Sequence, residues 1–120
     1  MSRRILIIDD EEDMRRLVAD VLRSEGHAVD GPVDSYVALE RARSERYDLI
    51  ALNDEMPLLD GLAFLEVLRE AGIDTPIVLL SDQSQDPDLA TLEAFGVHHV
   101  IRKPFPVRRL LEVVGEILPP

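Results

Sequence analysis

Two adjacent acids, Asp9 and Asp10, close the apolar run "RILIID" at residues 4–9. Carboxylates side by side at the end of a buried segment repel each other unless a cation neutralises them. Oxygen ligands without His or Cys suit Mg²⁺ or Mn²⁺. The same acids also suit the first turn of a following helix, where the dipole favours negative charge. Lys103 ends the run "HVIRK" and precedes Pro104 and Phe105. An ammonium there can pair with carboxylates or with a phosphoryl oxygen, and its bond to Pro104 can be cis. Ser81 ends "PIVLLS", and its hydroxyl can meet a phosphoryl oxygen or close the turn in "SDQSQD". The remaining terminus is Asn53. It closes "DLIALN" ahead of Asp54, Glu55, Met56-Pro57 and Asp60-Gly61.

These residues form a site only if one framework gathers them. The runs at 4–9, 48–53 and 76–81 are continuously apolar, as in strands buried on both faces of a parallel sheet. Residues 28–33 and 99–103 supply two more strands. Between them lie amphipathic segments. In 12–25, Met14, Leu17, Val18, Val21 and Leu22 recur at helical spacing, and Gly26 fits the C-terminal cap. Ser35 suits the N-cap of 35–44, with Ala38, Leu39 and Ala42 inward. Segment 60–71 turns Leu62, Leu65 and Leu68 inward before Gly72; segment 87–95 offers only Leu89, Leu92 and Phe95. In 107–118, after Pro106, Val107, Leu110, Leu111, Val114, Ile117 and Leu118 share a face. Strand-helix alternation of this kind implies parallel strands, right-handed crossovers and helices on both faces. Ligands then bind beyond the C-terminal strand ends, where Asp9, Asp10, Asn53, Ser81 and Lys103 fall.

Bulk properties narrow the function classes. The 120 residues suit one domain over 1–120, and 46% hydrophobic with 31% charged residues suit a globular chain. The absence of cysteine removes disulfides, thiolate metal sites and a Cys nucleophile. "MSRRILIIDD" carries no signal peptide and no membrane span, so the expected compartment is the cytoplasm. A net charge of −11 repels phosphate backbones and argues against direct contact with nucleic acid. Most of the 24 acids serve solubility.

The ordered set Asp9-Asp10, Met56-Pro57, Asp60-Gly61, Ser81 and Lys103-Pro104-Phe105 strongly resembles the receiver domain of two-component response regulators, across essentially the whole chain. The resemblance implies a flavodoxin-like (βα)5 fold with strand order 2-1-3-4-5 and phosphoryl transfer from a phosphohistidine to an Asp with Mg²⁺. It implies metal ligation by Asp9, Asp10, residue 53 and the Glu55 backbone carbonyl. Ser81 takes the place of the switch hydroxyl, and Lys103 that of the Lys that pairs with the acids and then with the phosphoryl group. Partners would be a histidine kinase or phosphotransfer protein and a downstream protein, met through the 88–118 face. There His98, His99, Arg102, Arg108 and Arg109 make the surface less acidic. A monomer or weak dimer is expected.

The match breaks at the acceptor. Counting back three positions from Met56 gives Asn53, an amide with no anionic oxygen for attack on phosphorus. It also removes a negative charge from the metal site, so Mg²⁺ should bind weakly or not at all. Asp54 is a poor substitute, because successive strand side chains point to opposite faces. Asp82 stands where a small residue is usual, and the aromatic switch position is Val100. Two explanations stand side by side. Asp82 and Val100 favour a natural receiver that has lost phosphorylation; intact Asp9, Asp10, Ser81 and Lys103 favour a deliberate Asp-to-Asn replacement. Outside this family, Asp9 after "ILII" could be the nucleophile of a small Mg²⁺-dependent phosphohydrolase, although Glu11 breaks the usual DxD pattern. A flavin or nucleotide carrier lacks a Gly-rich phosphate loop here.

Overall fold

Each apolar run forms a strand and each amphipathic segment a helix. The structure, a computed structural model, describes residues 3–31, 35–53, 61–81 and 89–118. The strands are β1 (Arg4–Ile8), β2 (Ala28–Asp30), β3 (Leu49–Asn53), β4 (Ile77–Ser81) and β5 (His99–Arg102). The helices are α1 (Glu12–Ser24), α2 (Ser35–Ser44), α3 (Gly61–Glu70), α4 (Leu89–Ala94) and α5 (Val107–Ile117). The sheet is parallel in the order β2-β1-β3-β4-β5. This is the flavodoxin-like arrangement that the family resemblance implies. β2 stops short of the run at 28–33, and residues 32–33 lie outside the described residues.

Alternation along the strands builds two cores. Leu6, Ile8, Ile50, Leu52, Ile77 and Leu79 meet Ala38, Phe64, Leu65, Leu68 and Leu92 on the α2–α3–α4 face. Ile5, Ile7, Leu49, Ala51, Val78, Leu80 and Ile101 meet Val18, Leu22, Leu110, Val113 and Val114 on the α1–α5 face. Burial on both faces explains why β1, β3 and β4 are continuous apolar runs. None of the described helices is long and apolar enough to cross a membrane.

The helix ends follow local rules. Gly26 (φ +91°) and Gly72 (φ +78°) adopt the left-handed conformation. Around Gly26, its N–H donates to the Arg23 carbonyl and that of His27 to Leu22, which closes a Schellman motif. Gly72 and Ile73 repeat the pattern on Arg69 and Leu68.

The inward faces differ from the sequence reading in detail. Leu62, Leu89 and Val107 are exposed rather than buried. Each is the first or second residue of its helix. Leu17 is exposed as well, while Arg15, Phe64 and Val113 are buried. α2 is described from Ser35 onward, and the residues just before it lie outside the described residues.

A polar network closes the β1–β2 edge beneath α2. The Tyr47 hydroxyl donates to Asp30 Oδ2 at 2.8 Å, and Arg4 donates to Asp30 at 3.0 Å and to Glu45 at 2.9 Å. The Arg4 guanidinium also lies 4.8 Å from the Tyr47 ring centre. Burial, helped by the bond to Asp30, pushes the Tyr47 phenol up to about 12. Burial opposes ionisation of Asp30, but the Tyr47 and Arg4 donors outweigh it and hold the carboxyl below its usual value. A raised phenol proton affinity stabilises the native state below the unfolded pKa of about 10. Stability should therefore fall as pH rises from about 10 towards 12, and Tyr47→Phe should remove that decline. Urea denaturation across this range checks the expectation; an equal decline in Tyr47→Phe would rule Tyr47 out as its source.

Candidate functional site

The C-terminal strand ends converge as the fold requires. Asp9 follows β1, Asn53 ends β3 and Lys103 follows β5. Asp9 and Asn53 are 3% and 5% exposed. Asp9 continues the Ile5–Ile7 parity and Asn53 the Leu49–Ala51 parity, so both face the α1–α5 side. Lys103 reaches over them. Its Nζ donates to Asp9 Oδ2 at 3.1 Å and to Asn53 Oδ1 at 3.2 Å. Asn53 Nδ2 in turn donates to Asp9 Oδ1 at 3.3 Å and to Asp10 Oδ1 at 3.1 Å. The Glu11 N–H donates to Asp9 Oδ1 at 2.9 Å, an Asx turn at the start of α1.

Two features were not legible in the sequence. Arg15 is buried, and its Nη1 donates to the Asp9 carbonyl at 2.9 Å. Its stem runs against Gly31, where an added Cβ would lie 3.2 Å from Arg15 Cγ. A glycine following β2 was the only available hint. The second feature is the direction of the Asn53 amide, with its NH₂ towards the acids and its oxygen towards the ammonium.

Ser81 and Val100 are placed differently. Ser81 is fully buried and continues the Ile77–Leu79 parity towards the α2–α3–α4 face. Val100 packs on that same core. The Ser81 carbonyl accepts the Lys103 N–H at 2.8 Å, so the backbone joins the two halves of the site. The Lys103–Pro104 bond is cis. Asp54, Glu55, Met56-Pro57 and Asp82 lie outside the described residues.

A family model described as the response regulator receiver domain matches residues 5–115. The chain belongs to the response-regulator receiver domain family. It is 34% identical over 108 residues to the transcriptional regulatory protein DltR of Streptococcus agalactiae, covering 90% of this chain and 48% of DltR. It is 36% identical over 118 residues to the transcriptional regulatory protein PrrA of Mycobacterium tuberculosis, covering 98% of this chain and 50% of PrrA. The chain thus spans about half the length of the curated relatives it matches. Among solved structures, the chemotaxis protein CheY4 of Vibrio cholerae superposes with a TM-score of 0.86 at 27% identity, covering 98% of this chain and all of CheY4. As a receiver domain the chain is a component of two-component signalling.

Receiver domains typically bind Mg²⁺. The donor set here is a poor match for that ion. Asp9 and Asp10 offer carboxylate oxygens, but Asn53 presents two N–H groups to the space between them. An N–H donor cannot ligate a cation. Turning the amide over would set its NH₂ against the Lys103 ammonium, donor against donor. Among the described residues, no group of three or more His, Asp or Glu side chains is placed to hold a metal ion.

Proposed function

We propose that this receiver domain does not accept phosphate at residue 53 and acts through protein contacts. The observation that carries the reading is Asn53 itself. Its amide stands among Asp9, Asp10 and Lys103, where the family resemblance calls for a carboxylate nucleophile. An amide offers no anionic oxygen to phosphorus. In this reading Asp9 and Asp10 are the remaining metal-side acids, Lys103 and Ser81 the phosphoryl-side groups, Glu55 the backbone ligand and Val100 the switch position.

Partners would be a histidine kinase or phosphotransfer protein and a downstream signalling protein. The 88–118 face carries a groove of about 440 Å³ lined by Leu89, Val100, Pro104, Phe105, Pro106 and Arg109. A net charge of −11 favours protein over nucleic acid as its occupant. Incubation with Mg²⁺ and acetyl phosphate should leave the intact mass unchanged. An added phosphate mapped to residues 49–61 would overturn the reading. The phosphohydrolase alternative is weakened because Asp9 already accepts hydrogen bonds from Glu11, Asn53 and Lys103. Release of phosphate from para-nitrophenyl phosphate would revive it.

A further inference from the structure

A primary amide has two N–H donors on one arm and a carbonyl acceptor on the other. The surroundings of Asn53 match that asymmetry in one orientation only. Two carboxylate oxygens, Asp9 Oδ1 and Asp10 Oδ1, face the NH₂ arm at 3.3 and 3.1 Å. One ammonium, Lys103 Nζ, faces the carbonyl arm at 3.2 Å. Reversal would leave an ammonium facing an NH₂ and a carbonyl oxygen facing two carboxylates. The partners therefore fix the amide.

The geometry points to a role for Asn53 beyond a missing acceptor: its NH₂ group takes the place of a divalent cation between Asp9 and Asp10, bracing the pocket and excluding Mg²⁺ from it. This rests on the reading of the pocket as a receiver site. The charge count supports it. Two carboxylates, Asp9 and Asp10, are met by the Lys103 ammonium and by the Arg15 guanidinium on the Asp9 carbonyl. Among the described residues these two cations offset the two acids. The brace is also mechanical, since the bonds of one side chain tie the end of β3 to residues following β1 and β5.

Loss of charge and occlusion by the amide are different causes, and neutral substitutions separate them. If charge loss alone weakened the metal site, Asn53→Ala would bind Mg²⁺ no better than the wild type, because neither residue carries charge. If the amide occludes the site, Asn53→Ala opens it and leaves two unbridged acids. Asn53→Ser does the same while offering hydroxyl lone pairs to a cation.

The experiment is a Mg²⁺ titration of the wild-type chain, Asn53→Ala and Asn53→Ser, read by melting temperature and by amide chemical shifts of residues 9–11. The wild type should show no Mg²⁺-dependent rise in melting temperature. Both neutral variants should melt below the wild type without metal and bind Mg²⁺ at least about tenfold more tightly, equivalent to about 1.4 kcal/mol. If one variant does not fold, the other and the wild-type titration decide. Neutral variants that bind no more tightly than the wild type would overturn the occlusion, as would Mg²⁺ raising the wild-type melting temperature. Either result leaves the phosphorylation-deficient reading intact. That reading falls only to phosphate on the wild-type chain.

Discussion

Asn53→Asp should melt on the order of 10 °C below the wild type in chelator, and should recover most of that loss in excess Mg²⁺. The substitution removes both Nδ2 donors to Asp9 and Asp10 and puts a third carboxylate beside them. Asp9 keeps the Glu11 N–H and the Lys103 ammonium and Asp10 is exposed, so the lost hydrogen bonds themselves cost roughly 1 kcal/mol. The like charge adds to that cost, because three carboxylates then share one ammonium. For a domain of this size each kcal/mol corresponds to about 3–5 °C. Mg²⁺ reverses the sign. At a hundredfold excess over Kd, ligand linkage contributes about 2.7 kcal/mol. Calorimetry with chelator and with Mg²⁺ checks both halves. A metal-free melting temperature equal to or above that of the wild type would mean that the three side chains are not clustered in solution. If the variant also accepts phosphate from acetyl phosphate, a recent or deliberate replacement at residue 53 is favoured. If it stays inert, Asp82 and Val100 become the obstacle and long divergence is favoured.

The framework was legible because burial on two faces leaves a plain mark. β1, β3 and β4 are apolar runs, and the site lies at or just past their C-terminal ends. Asp9, Asn53 and Lys103 could be placed together because parallel strands align their C-terminal ends. The helix faces were legible only to within one or two positions. Leu62 fits the spacing of Leu65 and Leu68, yet it is exposed as the second residue of α3 while Phe64 is buried. Arg15 was not foreseen for a different reason. Its burial depends on Gly31, sixteen positions away, leaving room for its stem, and on the Asp9 carbonyl being available. The amide direction was likewise out of reach. Sequence shows that Asn53 lacks a charge; only the positions of Asp10 and Lys103 show which arm faces which.

Lys103→Met should cost roughly 3 kcal/mol of stability, near the lower bound for breaking a buried ion pair. The Asp9 side chain is fully buried and that of Lys103 is 16% exposed, with Nζ and Oδ2 3.1 Å apart. Removing the ammonium leaves Asp9 with Glu11 and Asn53 as donors, and those bonds keep the cost from the top of the range. The Asn53 oxygen loses its Lys103 donor as well. Met keeps the length of the side chain and the main-chain bond from residue 103 to Ser81, so the end of β5 should hold its place. Urea denaturation should show a lower midpoint at an unchanged slope. Asp9→Asn in the Lys103→Met background should recover part of the loss, because no charge is then stranded. Recovery within the 0.5–3 kcal/mol typical of coupled neighbours would identify the pair as the cause. A cost under about 1 kcal/mol would instead put this pair with surface contacts such as Arg4–Glu45. Lys103 is also bonded to Pro104, which lines the groove of the 88–118 face together with Phe105. Amide shifts in residues 105–110 should therefore move in Lys103→Met and stay fixed in Arg16→Ala, whose side chain is exposed on α1. That contrast would link the state of the Asp9–Asn53 pocket to the surface offered to a partner.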